Sequence, residues 1–239
     1  SHCGPALDSK LSHMLALKKS DWVRIRQYQT RLNALLVSAV DRAMKDVKPA
    51  ILSTGIGRTT FAVNRRKPIG KGPTDHDVPV LRATSIDGSK VRGVIFGYAC
   101  HNTTLSFYNW CGDYAGFASL ALEGQHENAV ALFFTGCGAD QNPLPRRKVE
   151  LAEKYGRMLA SAVNDVLKTA MDRTRGKLQT AFRSIKLPFD AIPSKAIFET
   201  ELKTGSRYQK ARAKLLLADI EKNGSLPTTH SYPVQVWAI

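Results

Sequence analysis

The chain has 239 residues, 43% apolar and 23% charged, enough for one large domain or two small ones around a real core. No apolar run reaches bilayer-spanning length, and residues 1–20 lack the basic-then-apolar order of a secretory leader. Lys and Arg number 35 against 20 Asp and Glu, a net charge of +15. The basic residues are scattered in clusters of three at most (65–67 and 146–148), with no interleaved aromatics, so nucleic acid is not expected as a partner. An anionic membrane surface stays open.

The chain opens with SHCGP (1–5), a His and a Cys ahead of a Gly-Pro turn. Residues 21–47 carry Trp22, Ile25, Leu32, Leu36, Val40 and Val47 at helical spacing, with Ser20 or Asp21 as N-cap and Lys48-Pro49 as stop. AILSTGIGRTTFAVNRR (50–66) reads as one strand-like run, followed by a Pro/Gly/Asp loop at 67–77 in which His76 is read as solvated. VPVLRATS (78–85) and VRGVIFGYAC (91–100) flank Asp87-Gly88 and predict a hairpin. DYAGFASLALEG (113–124) has helical spacing. AVALFFTG (129–136) is so continuously apolar that it predicts a strand buried on both faces. Strand, helix, strand in this order predicts parallel pairing through a crossover. Residues 148–170 form a further helix, 177–189 a strand, 195–224 a charged helix broken near Gly205, and 231–239 a last strand. The fold class expected is α/β: a mixed, largely parallel sheet flanked by helices, in a single domain over 1–239. A last strand that stops at Ile239 without a tail suggests truncation at that end.

Functional loops in open α/β sheets gather at the carboxyl ends of strands. Three such places stand out: CHNTTL (100–105), NWCGDYAG (109–116) and TGCGADQNP (135–143). His101 ends a strand beside Asn102, Thr103 and Thr104, and reads either as a metal ligand or as an imidazole satisfied by a backbone carbonyl. Asp113 opens a helix, as a capping carboxylate or as a group orienting a metal-bound His. Asp140 lies in a Gly-rich turn, as a site group or a turn former. Arg65 offers a fork suited to a carboxylate or a developing oxyanion, or is part of a solvated basic tract with Arg66 and Lys67. His2 carries the same ambiguity. Cys3, Cys100, Cys111 and Cys137 form no CxxC pair, so zinc-ribbon and redox motifs are absent, while a disulfide such as Cys3 to Cys137 stays open.

SHCGP (1–5), NRR (64–66), DHDVPVLR (75–82), ACHNTTL (99–105), GDYAG (112–116) and GCGADQNP (136–143), in this order, resemble the N-terminal catalytic domain of the neutral/alkaline ceramidase family. The resemblance covers nearly the whole chain and is weakest over 190–230. It implies a zinc-dependent amidohydrolase: a zinc held by two His, a Glu and a Tyr activates water against the N-acyl amide of ceramide or a related lipid. His101 matches the second zinc His, His2 the catalytic His, and Arg65 the Arg that assists at the substrate. Asp113, Asp140 and Gln141 would support the metal or the substrate. Where the family carries Ser-Pro-Asn, this chain has Gln141-Asn142-Pro143. The first zinc His would precede Ser1, and the Glu and Tyr would follow Ile239, so the resemblance implies an internal fragment, inactive by itself. Secreted, periplasmic or membrane-associated parents are implied. The competing expectation is a non-catalytic ceramidase-like module that binds an amphiphile or glycan.

Overall fold

The computed structural model describes residues 3–9 and 15–239; His2 therefore lies outside the described residues. In chain order the elements are α1 (Lys19–Lys45), β1 (Ile51–Arg58), β2 (Ala62–Asn64), β3 (Asp77–Thr84), β4 (Val91–Tyr98), α2 (Asp113–Gln125), β5 (Val130–Thr135), β6 (Gln141–Pro143), α3 (Val149–Leu167), β7 (Asp172–Arg173), β8 (Gln179–Pro188), α4 (Lys195–Thr204), α5 (Arg207–Asn223) and β9 (Thr229–Ala238). The chain divides into two compact units. One is built from Lys48–Gly176 with Cys3 and Gly4, the other from the described residues of Pro5–Val47 and from Lys177–Ile239.

The first unit is an α/β layer with a five-stranded mixed sheet in the order β5-β4-β3-β1-β7. The expected hairpin is present, β3 pairing antiparallel with β4 around a turn in which Ser85 and Ser89 bond the Asp87 carboxylate. The expected crossover is present too: β4 and β5 are parallel and joined through α2. The balance of the sheet differs from the expectation of largely parallel strands, because β1 pairs antiparallel with both β3 and β7. The reason is connectivity. Parallel neighbours need a crossover element, and α2 alone supplies one within this sheet. The single run expected over 50–66 divides in two across residues 59–61, and β2 leaves the sheet to pair with β6.

Every second residue of the strands points to one face. Val78, Val80, Val94, Phe96, Tyr98 and Ala131 are buried there in one cluster with Tyr114, Leu122, Leu159 and Val163 of α2 and α3. Phe61 is its hub, with ring centroids 4.6, 5.0 and 4.7 Å from Tyr98, Tyr114 and Tyr155. Such contacts add roughly 0.5–1.5 kcal/mol each beyond burial. α3 sits directly on β1 because Gly55 and Gly57 have no side chains; a Cβ there would meet Val166 at 2.6 Å and the Ala162 carbonyl at 2.7 Å. The strand at 130–135 is not buried on both faces. It is the sheet edge, and Val130, Leu132 and Phe134 are exposed on the face opposite the helices. Its continuous apolarity does not report two-sided cover, because both helices of this unit pack on the other face.

In the second unit β8 and β9 form a long antiparallel ladder, Gln179 opposite Ala238 through Pro188 opposite Thr229. The break expected near Gly205 separates α4 from α5, and Ser206 caps α5 by accepting from the Gln209 amide. α1 begins two residues earlier than expected, with the Lys18 amide donating to Asp21, and buries none of its residues. No described helix is long and apolar enough to cross a membrane.

Candidate active site

The carboxyl ends of β4 and β5 lie side by side because the strands are parallel and in register, Tyr98 opposite Thr135. Each strand end turns into a loop. Gly136 donates its amide to the Tyr98 carbonyl at 3.0 Å, and Gln141 donates to the Gly138 carbonyl at 2.9 Å, which closes a tight turn over 136–141. Gly138 is required by proximity: a Cβ there would lie 2.4 Å from the Cys100 nitrogen and 2.5 Å from the Ala99 carbonyl carbon. The turn is thus pressed against the strand end that carries His101.

This turn brings two of the sequence candidates together. The half-buried His101 ring places Nε2 3.2 Å from the Ala139 carbonyl, and its backbone amide donates to the Gln141 carbonyl at 2.9 Å. Arg65 reaches the same Ala139 carbonyl through Nε at 3.1 Å, and its amide donates to the Asp140 carbonyl at 2.7 Å. Both side chains therefore converge on one oxygen. A carbonyl only accepts, so Nε2 of His101 is the donor in this contact, and Nδ1 is the ring nitrogen not committed to it. The Nη groups of Arg65 take no hydrogen bond among the described residues, which leaves the exposed fork available to an anion or a polarised carbonyl.

Asp140 joins this group at its edge. Its Oδ2 accepts from Asn64 Nδ2 at 2.9 Å. Gln141 is buried and accepts from the Asp75 amide at 3.0 Å, so its side chain braces the loop behind the site. Asp113 stands apart from the group. It is fully buried at the first turn of α2, with φ +55°, and spends its oxygens on the Leu105 amide at 2.8 Å and the Tyr114 amide at 2.7 Å. It pins CHNTTL to the helix, and the neighbouring Asn102 extends that tie by donating to the Gly112 carbonyl at 3.0 Å.

Three positioning residues are not among the candidates the sequence singled out. Asn64 is buried and fully used: it donates to Pro73 O and Asp140 Oδ2 and accepts from the Arg66 amide. Tyr98 accepts from the Ala62 amide at 3.1 Å and donates to the Thr59 carbonyl at 3.0 Å, which holds the entry to β2. Tyr114 donates to the Cys100 carbonyl at 2.8 Å, directly beneath His101. Burial raises both phenols well above the ordinary tyrosine range and pushes the Cys100 thiol up to about 12, so all three stay protonated as neutral struts. Their common signal was a Tyr or Asn next to a strand end, which is too widespread to single out. His76 also departs from expectation. Both its ring nitrogens are buried without a hydrogen-bond partner among the described residues, not solvated. Cys3 and Cys137 are not joined: Cys3 is buried beside Leu105 and Ala152, while Cys137 is exposed in the turn after β5.

The metal expectation is tested by the donor set. Among the described residues no group of three His, Cys, Asp or Glu stands together to hold an ion. His101 is one donor, Asp140 is engaged by Asn64, and one imidazole does not hold zinc. The described residues do not fit a zinc site on their own.

Comparison with solved structures gives the same architecture. The crystal structure of neutral ceramidase from Pseudomonas aeruginosa matches with a TM-score of 0.61 at 16% identity, over 85% of this chain and 40% of that one. A ceramidase complexed with C2 matches with a TM-score of 0.55 at 20% identity, over 61% of this chain and 26% of that one. The chain has a neutral-ceramidase-like fold and spans less than half the length of either relative. No family model matches the sequence, and no curated relative matches it.

Proposed function

We propose that the chain is part of the catalytic domain of an amide hydrolase of the neutral ceramidase type, acting on the N-acyl bond of ceramide or a related N-acyl lipid. The observation that carries this reading is the convergence of His101 and Arg65 on the Ala139 carbonyl, at the strand ends of a ceramidase-like fold. Arg65 holds a fixed positive charge where the oxygen of an amide carbonyl gathers negative charge during attack. His101 is oriented by the contact of Nε2 with the turn, which leaves Nδ1 as the nitrogen it could offer to a ligand. Zinc enters the reading through the resemblance, with His101 as the donor this chain would contribute and the remaining donors supplied from outside the described residues. His2 is read as the second imidazole of the reaction on the same ground. The net charge of +15 favours a lipid substrate presented on an anionic membrane surface, and a location outside the cytoplasm enters the reading through the resemblance alone.

The test uses the intact parent protein and a short-chain N-acylsphingosine. His101→Ala is expected to lower hydrolysis at least 100-fold and to lower bound zinc measured by atomic emission. Arg65→Ala is expected to lower kcat with zinc retained. Parental turnover in both variants sinks the reading. Lipid binding without turnover in the unaltered parent replaces it with the binding-module alternative, which the incomplete donor set among the described residues supports.

A further inference from the structure

We propose that Cys3 and Cys111 are a disulfide-forming pair, closed by a small disulfide oxidant such as oxidised glutathione. The Cys111 amide donates to the Cys3 carbonyl at 3.4 Å. That bond makes the two residues direct backbone neighbours, the proximity a disulfide requires of its α-carbons, which it spans at roughly 4.4–6.8 Å. Both side chains enter one small apolar cluster, where Phe107, Cys111 and Phe117 pack against buried Cys3, Leu105 and Ala152. Cys3 is 4% exposed while Cys111 is half-buried, so an oxidant reaches Cys111 first. The Asp113 amide donates to Cys111 Sγ at 3.3 Å, which fixes that sulfur at the start of α2. The other cysteines lie elsewhere. Cys100 is fully buried with its thiol directed to the His101 carbonyl, and Cys137 is exposed in the turn after β5.

The chemistry is two successive exchanges. The Cys111 thiolate attacks one sulfur of the oxidant and expels a glutathione thiolate, forming a mixed disulfide. The Cys3 thiolate then attacks the Cys111 sulfur and expels the second. Two protein thiols are oxidised, one oxidant disulfide is reduced to two thiols, and the two thiol protons pass to the departing thiolates. The product ties the first turn of the chain to the loop that opens α2. The pairing does not depend on the hydrolase reading, and its test does not use activity.

The 239-residue chain is held in oxidised glutathione, unfolded in iodoacetamide, digested without reductant and mapped by mass spectrometry. The expected result is a peptide pair linking Cys3 to Cys111, with Cys100 and Cys137 alkylated. Two reactive thiols are lost, equally in Cys137→Ser, and both return on reduction. The linked form is expected to melt roughly 5 °C or more above the reduced form, since the bridge closes a long loop. Four thiols still reactive, glutathione retained on Cys111, or a link from Cys3 to Cys137 overturns the proposal.

Discussion

Replacing Gly138 by Ala tests whether the turn after β5 builds the site. The added Cβ would lie 2.4 Å from the Cys100 nitrogen, 2.5 Å from the Ala99 carbonyl carbon and 2.7 Å from the Ala99 oxygen. All three are backbone atoms of the strand end and cannot swing aside. Comfortable non-bonded separations are roughly 3.5 Å, so the turn must lift by about 1 Å. That displacement carries the His101–Ala139 contact from 3.2 Å, and the Arg65–Ala139 contact from 3.1 Å, beyond hydrogen-bond range. Overpacking of this kind costs about 1–3 kcal/mol, inclusive of bonds that stretch with it. For a chain of this size that lowers Tm by roughly 3–10 °C. Urea denaturation followed by circular dichroism gives the energy, and long-range nitrogen–proton NMR of the imidazole gives the tautomer. The expected outcome is a loss of about 2 kcal/mol together with loss of the single Nε2–H form of His101. A variant as stable as its parent, with an unchanged imidazole spectrum, refutes the account of how the site is held.

Gly124→Ala is the matching control in α2, because a Cβ there meets nothing within 4 Å; it is expected to raise stability by up to about 1 kcal/mol in the same urea titration. Phe61→Ala removes the hub of the three tyrosines and is expected to cost about 3–5 kcal/mol, read as a lowered denaturation midpoint. Asp113→Asn is expected to cost about 1.5–3 kcal/mol, since one of two charge-assisted bonds to backbone amides becomes an amide facing a donor; unchanged stability would contradict its bracing role. Alkaline pH supplies the fourth test. Burial raises the Cys100 thiol from 9.0 to about 12, so the folded state holds this proton more tightly than the unfolded chain. Its contribution is complete below about pH 9 and is lost as pH rises through 12, a change of up to roughly 4 kcal/mol at 1.36 kcal/mol per unit. A urea midpoint that does not fall between pH 8 and 11 removes that argument.

The sequence by itself determined the local pieces. The periodicity of 148–170 specified α3, Asp87-Gly88 specified the β3–β4 hairpin, and strand-helix-strand over 91–136 specified the parallel β4–β5 pair. Gly205 marked the break between α4 and α5. These depend on side-chain spacing and turn chemistry within a few residues. The candidate His101, Arg65 and Asp140 were also legible as polar groups at strand ends. Their meeting was not, because it is made through a backbone carbonyl. Arg65 and Ala139 are 74 residues apart and His101 and Ala139 are 38 apart, and any residue at 139 would offer the same oxygen. Only the sheet order, with β4 beside β5 and β2 paired to β6, decided that one turn serves both. The same dependence on distant pairing hid the roles of Gln141 and Asp113, whose partners are the amides of Asp75, Leu105 and Tyr114. Side-chain pattern is written in the sequence, whereas the backbone groups that pattern brings together carry no letter of their own.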